Sequence, residues 1–302
     1  MKEVIINYTT RIRFIFIIGI LIQSCTEDYD IKLNSIDPIL VVDGSITDQA
    51  MPQYIILMKS AEYFSNEPNP PVSEAIVSVN DGESTYLFNE LDELPGFYQS
   101  PDGFQGVIGR AYHLLIENVD INSDGIMETY EAESTMKKVA PLDSVTIDYF
   151  EEYGSKYWRL RVNAWDPSDT SNFYVFKAYK NDTIVTDQIQ EWNPVSDELF
   201  EEGQYASEPV IWLEEEDEDG NRRFQAPNLG DVYTLEMDGV TEDYYDYLIA
   251  VQLEMQPKVP IFSGPAANVP TNISNGALGY FSVYSVSKSK VVITQDILDL
   301  KK

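Results

Sequence analysis

The sequence predicts a mostly-β protein. An N-terminal immunoglobulin- or transthyretin-like β-sandwich is followed by a second β-rich domain with one or two helices. Three observations carry this. From Ile36 onward, short apolar runs are separated by turn residues at the spacing of a sandwich or barrel. Residues 157–165 alternate strictly, with Trp158, Leu160, Val162 and Ala164 on one face and Arg159, Arg161 and Asn163 on the other. A stretch opening at Thr241 carries helix start and stop signals.

In order, the first apolar run, 39–42, ends at the turn pair Asp43-Gly44. Residues 54–58 form the next strand, and the proline-rich 67–71 (EPNPP) form a loop, because proline cannot donate to a ladder. Residues 75–79 run into the turn Asn80-Asp81-Gly82, residues 85–88 make another strand, and Pro95-Gly96 turns into Phe97-Tyr98. Within 111–119, Tyr112, Leu114 and Ile116 share one face, and 129–136 is the far arm of that hairpin. About seven strands over residues 36–140 suit one sandwich.

The second domain, 141–302, starts near Pro141. Residues 173–179 and 183–189 flank Asn181-Asp182, a tight hairpin turn. An acidic insertion, 194–224, is weakly patterned and contains the run Glu214 to Asp219, read as a solvated loop. A strand at 232–237 precedes the helix from Thr241 to Met255. Glu242 and Asp243 occupy its first turn, where the helix dipole favours acids, and Pro257 ends it. Leu248, Val251, Gln252 and Met255 share a face. A loop containing Pro260, Gly264-Pro265 and Pro270 leads to two last strands, 279–286 and 290–294.

The N-terminus reads as an address. Arg11 and Arg13 lead an apolar run to Ile22, which closes on Gln23-Ser24-Cys25, and Cys25 is the only cysteine. A positive start, a short apolar centre and a small residue at the cut are the parts of an export signal. The run is too short for the roughly 20 residues a spanning helix needs. A cysteine directly after the cut resembles the lipid acceptor of bacterial lipoprotein signals. Residues 1–24 are then a signal peptide, and 25–35 are a lipidated tether at the outer membrane. Thr26-Glu27-Asp28-Tyr29-Asp30 is similar to the acidic surface-export signal of Bacteroidetes lipoproteins.

The chain has 51 acidic residues against 20 basic ones and a net charge of −31, which argues against nucleic acid as a partner. With Cys25 acylated no disulfide remains, so stability must come from packing.

Seven pieces, taken together and in order, resemble one family. They are LVVDGSIT at 40–47, LMKSAEYF at 57–64, PVSEAIVSV at 71–79, PGFY at 95–98, FQGVIGRAY at 104–112, PLDS at 141–144 and NISNGALGYF at 272–281. The family is the DUF4249 lipoproteins of Bacteroidetes, whose function is unassigned. By gene company, the resemblance implies an accessory subunit beside a TonB-dependent outer-membrane transporter.

One local pattern points to an ion. Residues 120–131 fit the calcium-loop expression D-x-[DN]-x-[DN]-G-x5-E, with Asp120, Asn122 and Asp124 as first ligands and Glu128 or Glu131 completing the shell. Both flanks read as β, so an Asp/Asn/Gly hairpin turn is the competing expectation.

Catalysis is poorly supplied. His113 is the only histidine and lies mid-strand, no G-x-S-x-G elbow is present, and acids are too abundant for any carboxylate pair to be informative. Gly103, Gly106 and Gly109 lack the frame of a nucleotide loop. The aromatics Tyr149, Tyr153, Tyr157, Trp158, Trp165, Tyr174 and Tyr179 could form a ligand platform, though strand alternation puts several in the core.

The expected function is therefore a surface-exposed, non-catalytic binding or accessory lipoprotein. The alternatives are a calcium-stabilised adhesin or structural protein and, last, a glycan hydrolase using carboxylates alone.

Overall fold

A computed structural model describes residues 37–61, 68–152, 154–165, 172–197, 205–216, 223–257 and 269–301. The signal-like segment, Cys25, the acidic residues behind it, Tyr153 and the loop around Pro260 and Gly264-Pro265 lie outside these.

The protein is mostly β. The first half supplies β1 (Leu40–Thr47), β2 (Tyr54–Lys59), β3 (Ile76–Asn80), β4 (Thr85–Leu91), β5 (Leu94–Gln99), β6 (Ala111–Val119) and β7 (Glu128–Thr135). The second half supplies β8 (Ser144–Glu152), β9 (Ser155–Trp165), β10 (Phe173–Lys180), β11 (Thr183–Ile184), β12 (Asn193–Ser196), β13 (Tyr205–Glu214), β14 (Val232–Val240) and β15 (Leu278–Val292). Helices α1 (Glu242–Met255) and α2 (Gln295–Leu298) complete the described elements.

A 12-stranded sheet runs β11-β10-β14-β15-β1-β2-β5-β4-β3-β6-β7, with β12 beside β10, and β13-β9-β8 form a separate sheet. The seven strands of the first half are consecutive members of the large sheet rather than two separate sheets. Their inward faces, Leu40, Val42, Ile55, Val77, Tyr112, Leu114 and Ile116 among them, nevertheless close on one hydrophobic cluster. Rolling makes this possible: β7 returns to the start of β15, where Ser274 N donates to Glu131 O at 2.8 Å.

A domain boundary was expected near Pro141. Val139, Leu142, Trp158, Leu160, Val162, Phe176 and Leu235 belong to a second core. The sheet is continuous across that boundary, and residues 37–302 form one compact unit.

Four readings are corrected. Asp43-Gly44 is mid-strand, because β1 is central, parallel to β15 and antiparallel to β2. A Cβ on Gly44 would lie 2.8 Å from Ile55 Cδ1, so the glycine serves close packing rather than a turn. The last two strands are one. Its serines take up the crossing linker, with Val139 N donating to Ser285 Oγ at 2.7 Å and Leu142 N to Ser287 Oγ at 2.8 Å. The strand after Asn181-Asp182 lasts only two residues before a 3-10 turn at Ile189–Glu191. The 194–224 segment contains the whole of β13, which pairs with β9 through a register shift at Pro209.

The strand β14 is buried on nearly every residue because both faces are covered. Tyr233, Leu235 and Met237 face the β8–β9–β13 layer. Its other face lies under α1. Thr241 caps that helix, its hydroxyl accepting from Tyr244 N, and the turn at Gln256 ends it before Pro257.

Gly279 adopts φ +90° and a Cβ there would lie 1.9 Å from Val42 O, whereas Gly276, at φ +73°, has open space. Replacing Gly276 by alanine should cost only the backbone strain, on the order of 1–3 kcal/mol. Gly279→Ala must also displace β1 from β15 and should lose clearly more, as read by denaturant unfolding of both variants.

Candidate functional site

Between α1 and the sheet lies a charged layer that the sequence reading missed. Strands β10 and β14 are antiparallel, with Val175 opposite Asp238 and Lys177 opposite Glu236. Tyr174, Phe176 and Ala178 point into the second core, so Lys177 must point to the α1 side, as must Glu236 and Asp238.

There Lys177 Nζ lies 2.6 Å from Asp238 Oδ2 and 3.5 Å from Glu236 Oε1, with side-chain exposures of 8 %, 1 % and 7 %. Glu236 Oε2 also receives Lys288 Nζ at 2.6 Å and the Tyr179 hydroxyl at 2.9 Å. The ammonium of Lys177 is walled by aromatics, 4.4 Å from the Trp192 ring centre and 5.0 Å from that of Tyr284. Asp238 Oδ1 is buried and has no hydrogen-bond partner among the described residues.

Above this layer α1 contributes tyrosines. Tyr244 stacks on Tyr247 and Tyr284 and touches Tyr280. Gln252 Nε2 anchors the helix to Ile189 O and Trp192 O at 2.8 Å each. Of the face expected to pack, Leu248 is fully buried and Met255 is half exposed. The tyrosines do much of the packing instead.

Burial pushes the Asp238 carboxyl up to about 7, with Glu236 adding to the push and Lys177 opposing it. Burial raises Glu236 too, but Lys177 and Lys288 outweigh it and hold that carboxyl below the ordinary range. For Lys177, burial disfavours the ammonium, and the charges of Asp238 and Glu236 overcome this and hold its pKa high. Removing one partner of such a pair leaves a buried charge and costs about 3–5 kcal/mol.

The expected ion site has a different geometry. Asp120 accepts from Asp124 N and Gly125 N at 3.0 Å each, Asn122 Oδ1 from Asp124 N, and Asp124 Oδ1 from Ile126 N at 2.7 Å. Glu128 Oε2 accepts from Ile121 N, and Glu131 lies along β7. These side chains close the β6–β7 hairpin on its own amides. Among the described residues no group of three or more His, Cys, Asp or Glu is placed to hold a metal ion. His113 is exposed, 3.6 Å from Glu133.

Of the acidic run expected as a solvated loop, only Glu214 and its two neighbours Glu215 and Glu216 lie among the described residues. Glu214 ends β13 and pairs with Arg223, and Glu215 is buried against Lys301, whose charges hold the acids in place. Residues 217–222 lie outside the described ones.

The outward face of β8–β9–β13 carries aromatic rings and two partly buried arginines. Trp165 packs edge-on against Tyr205, and Trp212 is half exposed opposite Arg159. Arg159 lies 4.2 Å over Phe150, and Arg159 and Arg161 share Asp148 at 2.7 and 3.1 Å. Of the expected aromatic platform, Trp158 and Tyr174 are core and Trp165 is exposed.

Fold and site together define a β-rich body with a rolled sheet, a buried ion-pair layer under one helix, and a face on which exposed aromatics surround two arginines. Residues 26–290 match the family model described as Domain of unknown function (DUF4249), and the chain belongs to that family. No curated protein matches it.

A second buried lysine gives a pH test. Lys180 Nζ lies 2.9 Å from Asp231 Oδ2. Burial pushes Asp231 up, but Lys180, Asn181 and the Asn228 amide prevail and hold it at about 2, below the ordinary 3.8. A carboxyl depressed on folding stabilises above its unfolded value and loses that contribution as pH falls through its folded value. Urea unfolding should therefore show stability falling from about pH 4 toward pH 2, and Asp231→Asn should flatten that arm.

Proposed function

We propose that the chain is a surface-exposed outer-membrane lipoprotein, acylated at Cys25, that serves as a non-catalytic binding or accessory subunit of a TonB-dependent transporter. The observation that carries this reading is residues 11–25, RIRFIFIIGILIQSC, followed by the acidic TEDYD. Cys25 is the only thiol, and it stands where a lipid acceptor belongs. The transporter partnership follows from the resemblance to DUF4249 lipoproteins.

The arginine–aromatic face supports a protein partner. Arginine, tryptophan and tyrosine dominate the energetics of protein interfaces, and the acid-rich remainder of the surface repels anionic ones. Trp165, Tyr205, Trp212, Arg159 and Arg161 are the side chains we assign to that contact.

A calcium-stabilised adhesin is the second reading, favoured by the fit of Asp120–Glu131 to the loop expression. It is weakened by the use of those oxygens on the loop's own amides. A carboxylate-based glycan hydrolase ranks last, since the most perturbed carboxylates face lysines under a helix rather than a cleft.

The test is a gentle detergent pull-down of the tagged, lipidated protein from its own outer membrane, read by mass spectrometry. A stoichiometric TonB-dependent barrel is expected, and recovery of the protein alone overturns the accessory role. Cys25→Ala should release the protein from the membrane fraction. Trp212→Ala should weaken barrel recovery by the roughly 2 kcal/mol typical of an interface hot spot, without shifting the melting temperature. Chelator should leave the melting temperature unchanged, whereas a large drop favours the calcium reading.

A further inference from the structure

Lys177 and Asp238 are an amine and a carboxyl on neighbouring strands, in contact, with a second carboxyl beside them. We propose that they condense into an intramolecular amide, an isopeptide bond from Lys177 Nζ to Asp238 Cγ that staples β10 to β14, with Glu236 carrying the proton.

Proximity is the first argument. The nitrogen lies 2.6 Å from Oδ2, and the carboxyl carbon is one bond further on. Groups held this close react as if at concentrations on the order of 10⁵ M or more. Enclosure is the second. Both side chains are buried, and Trp192 and Tyr284 wall the amine.

Burial works against the charged pair, and although the charges of Asp238 and Glu236 hold the Lys177 ammonium, passing its proton to the carboxyl beside it removes both charges from the core. Burial also raises the Asp238 carboxyl toward the protonated form that can be attacked. The third argument is Glu236. It lies 3.5 Å from the amine, within reach of its proton, and Lys288 and Tyr179 hold it in place as the carboxylate that accepts one. Among the described residues nothing donates to Asp238 Oδ1 to lock the carboxyl as a spectator ion.

The reaction needs no oxidant or cofactor. One proton passes from Lys177 to Asp238, giving amine and acid. The nitrogen lone pair attacks Cγ, and the C–N bond forms. Glu236 takes one proton from that nitrogen and delivers it to the departing hydroxyl. The C–O bond breaks, one water leaves, and Glu236 ends as the carboxylate it began as. The product removes two charges from the core and links positions 61 residues apart in the chain. It gives a protein whose sole cysteine is Cys25 a covalent brace that owes nothing to thiols.

The test is trypsin digestion of the folded full-length protein with tandem mass spectrometry. The bond blocks cleavage after Lys177, and the peptides carrying Lys177 and Asp238 emerge as one branched species, one water lighter than their sum. Fragmentation should place the branch on Asp238. Lys177→Arg should give separate peptides, and Glu236→Gln should slow linkage by roughly a hundredfold or more.

Ordinary cleavage after Lys177 in folded wild-type protein overturns the proposal, as does a branch on Glu236. Linkage at the wild-type rate in Glu236→Gln overturns the proton-carrier role. Should Glu236→Gln fail to fold, the wild-type digest alone still decides the bond. None of these readouts involves the lipid or the transporter, so they stand or fall apart from the function proposed above.

Discussion

Strand β15 is the constraint on which the rest of the structure depends. Its first half is parallel to β1 and its second half antiparallel to β14, so one strand of 15 residues belongs to both halves of the fold. Phe281 and Val283 complete the first core, while Tyr284 and Val286 lie in the layer under α1. Val286 N donates to Asp48 across 238 residues of sequence. Neither β1 nor β14 has its full pairing until the C-terminal region arrives. Contacts of that separation carry the loop-closure cost that slows β topologies. The crossing linker exploits the same strand: Gly239 leaves room for Val139 to pass over β14, and Ser285 and Ser287 satisfy the linker's amides.

Coverage of both faces of β10, β14 and β15 then creates the unusual site. A sheet with one wet face can send its charges outward, but here the β8–β9–β13 layer takes one face and α1 the other. Lys177, Glu236 and Asp238, on the α1 side, cannot reach open water, so they meet each other. A helix resting on tyrosines suits this layer. Tyrosine supplies apolar area to pack and a hydroxyl to meet polar neighbours, and Tyr179 and Tyr284 use theirs on Glu236 and Lys177.

Much of this was legible in the sequence, and the failures have physical reasons. The alternation of 157–165 correctly put Trp158, Leu160, Val162 and Ala164 in the core, and Thr241 correctly capped α1. Asn181-Asp182 made the tight turn, with φ of 50° and 62°. Asp43-Gly44 misled because turn residues inside a central strand answer to close packing, which the local sequence does not display. Strand β13 was hidden by Glu208-Pro209, a pair that reads as a break but occupies a register shift. The serines that disguised β15 as two strands serve a linker roughly 145 residues away. For the charged layer one signal was available. Lys177 interrupts FYVFKAYK, and Glu236 and Asp238 interrupt VYTLEMDGV, so opposite charges stand within two otherwise apolar strands.

The balance of that layer also explains how so acidic a chain tolerates buried acids. With a net charge of −31, self-repulsion works against the compact state, and every uncompensated acid in the interior would add to it. Under α1, Glu236 and Asp238 are matched by Lys177 and Lys288, two against two. Lys180 matches Asp231 and Lys301 matches Glu215 in the same way. A large share of the few basic side chains is thus spent neutralising acids within the fold, and Arg159 and Arg161 share a single aspartate. Around that shared aspartate, on the outer face of β8–β9–β13, Trp165, Tyr205 and Trp212 stand exposed.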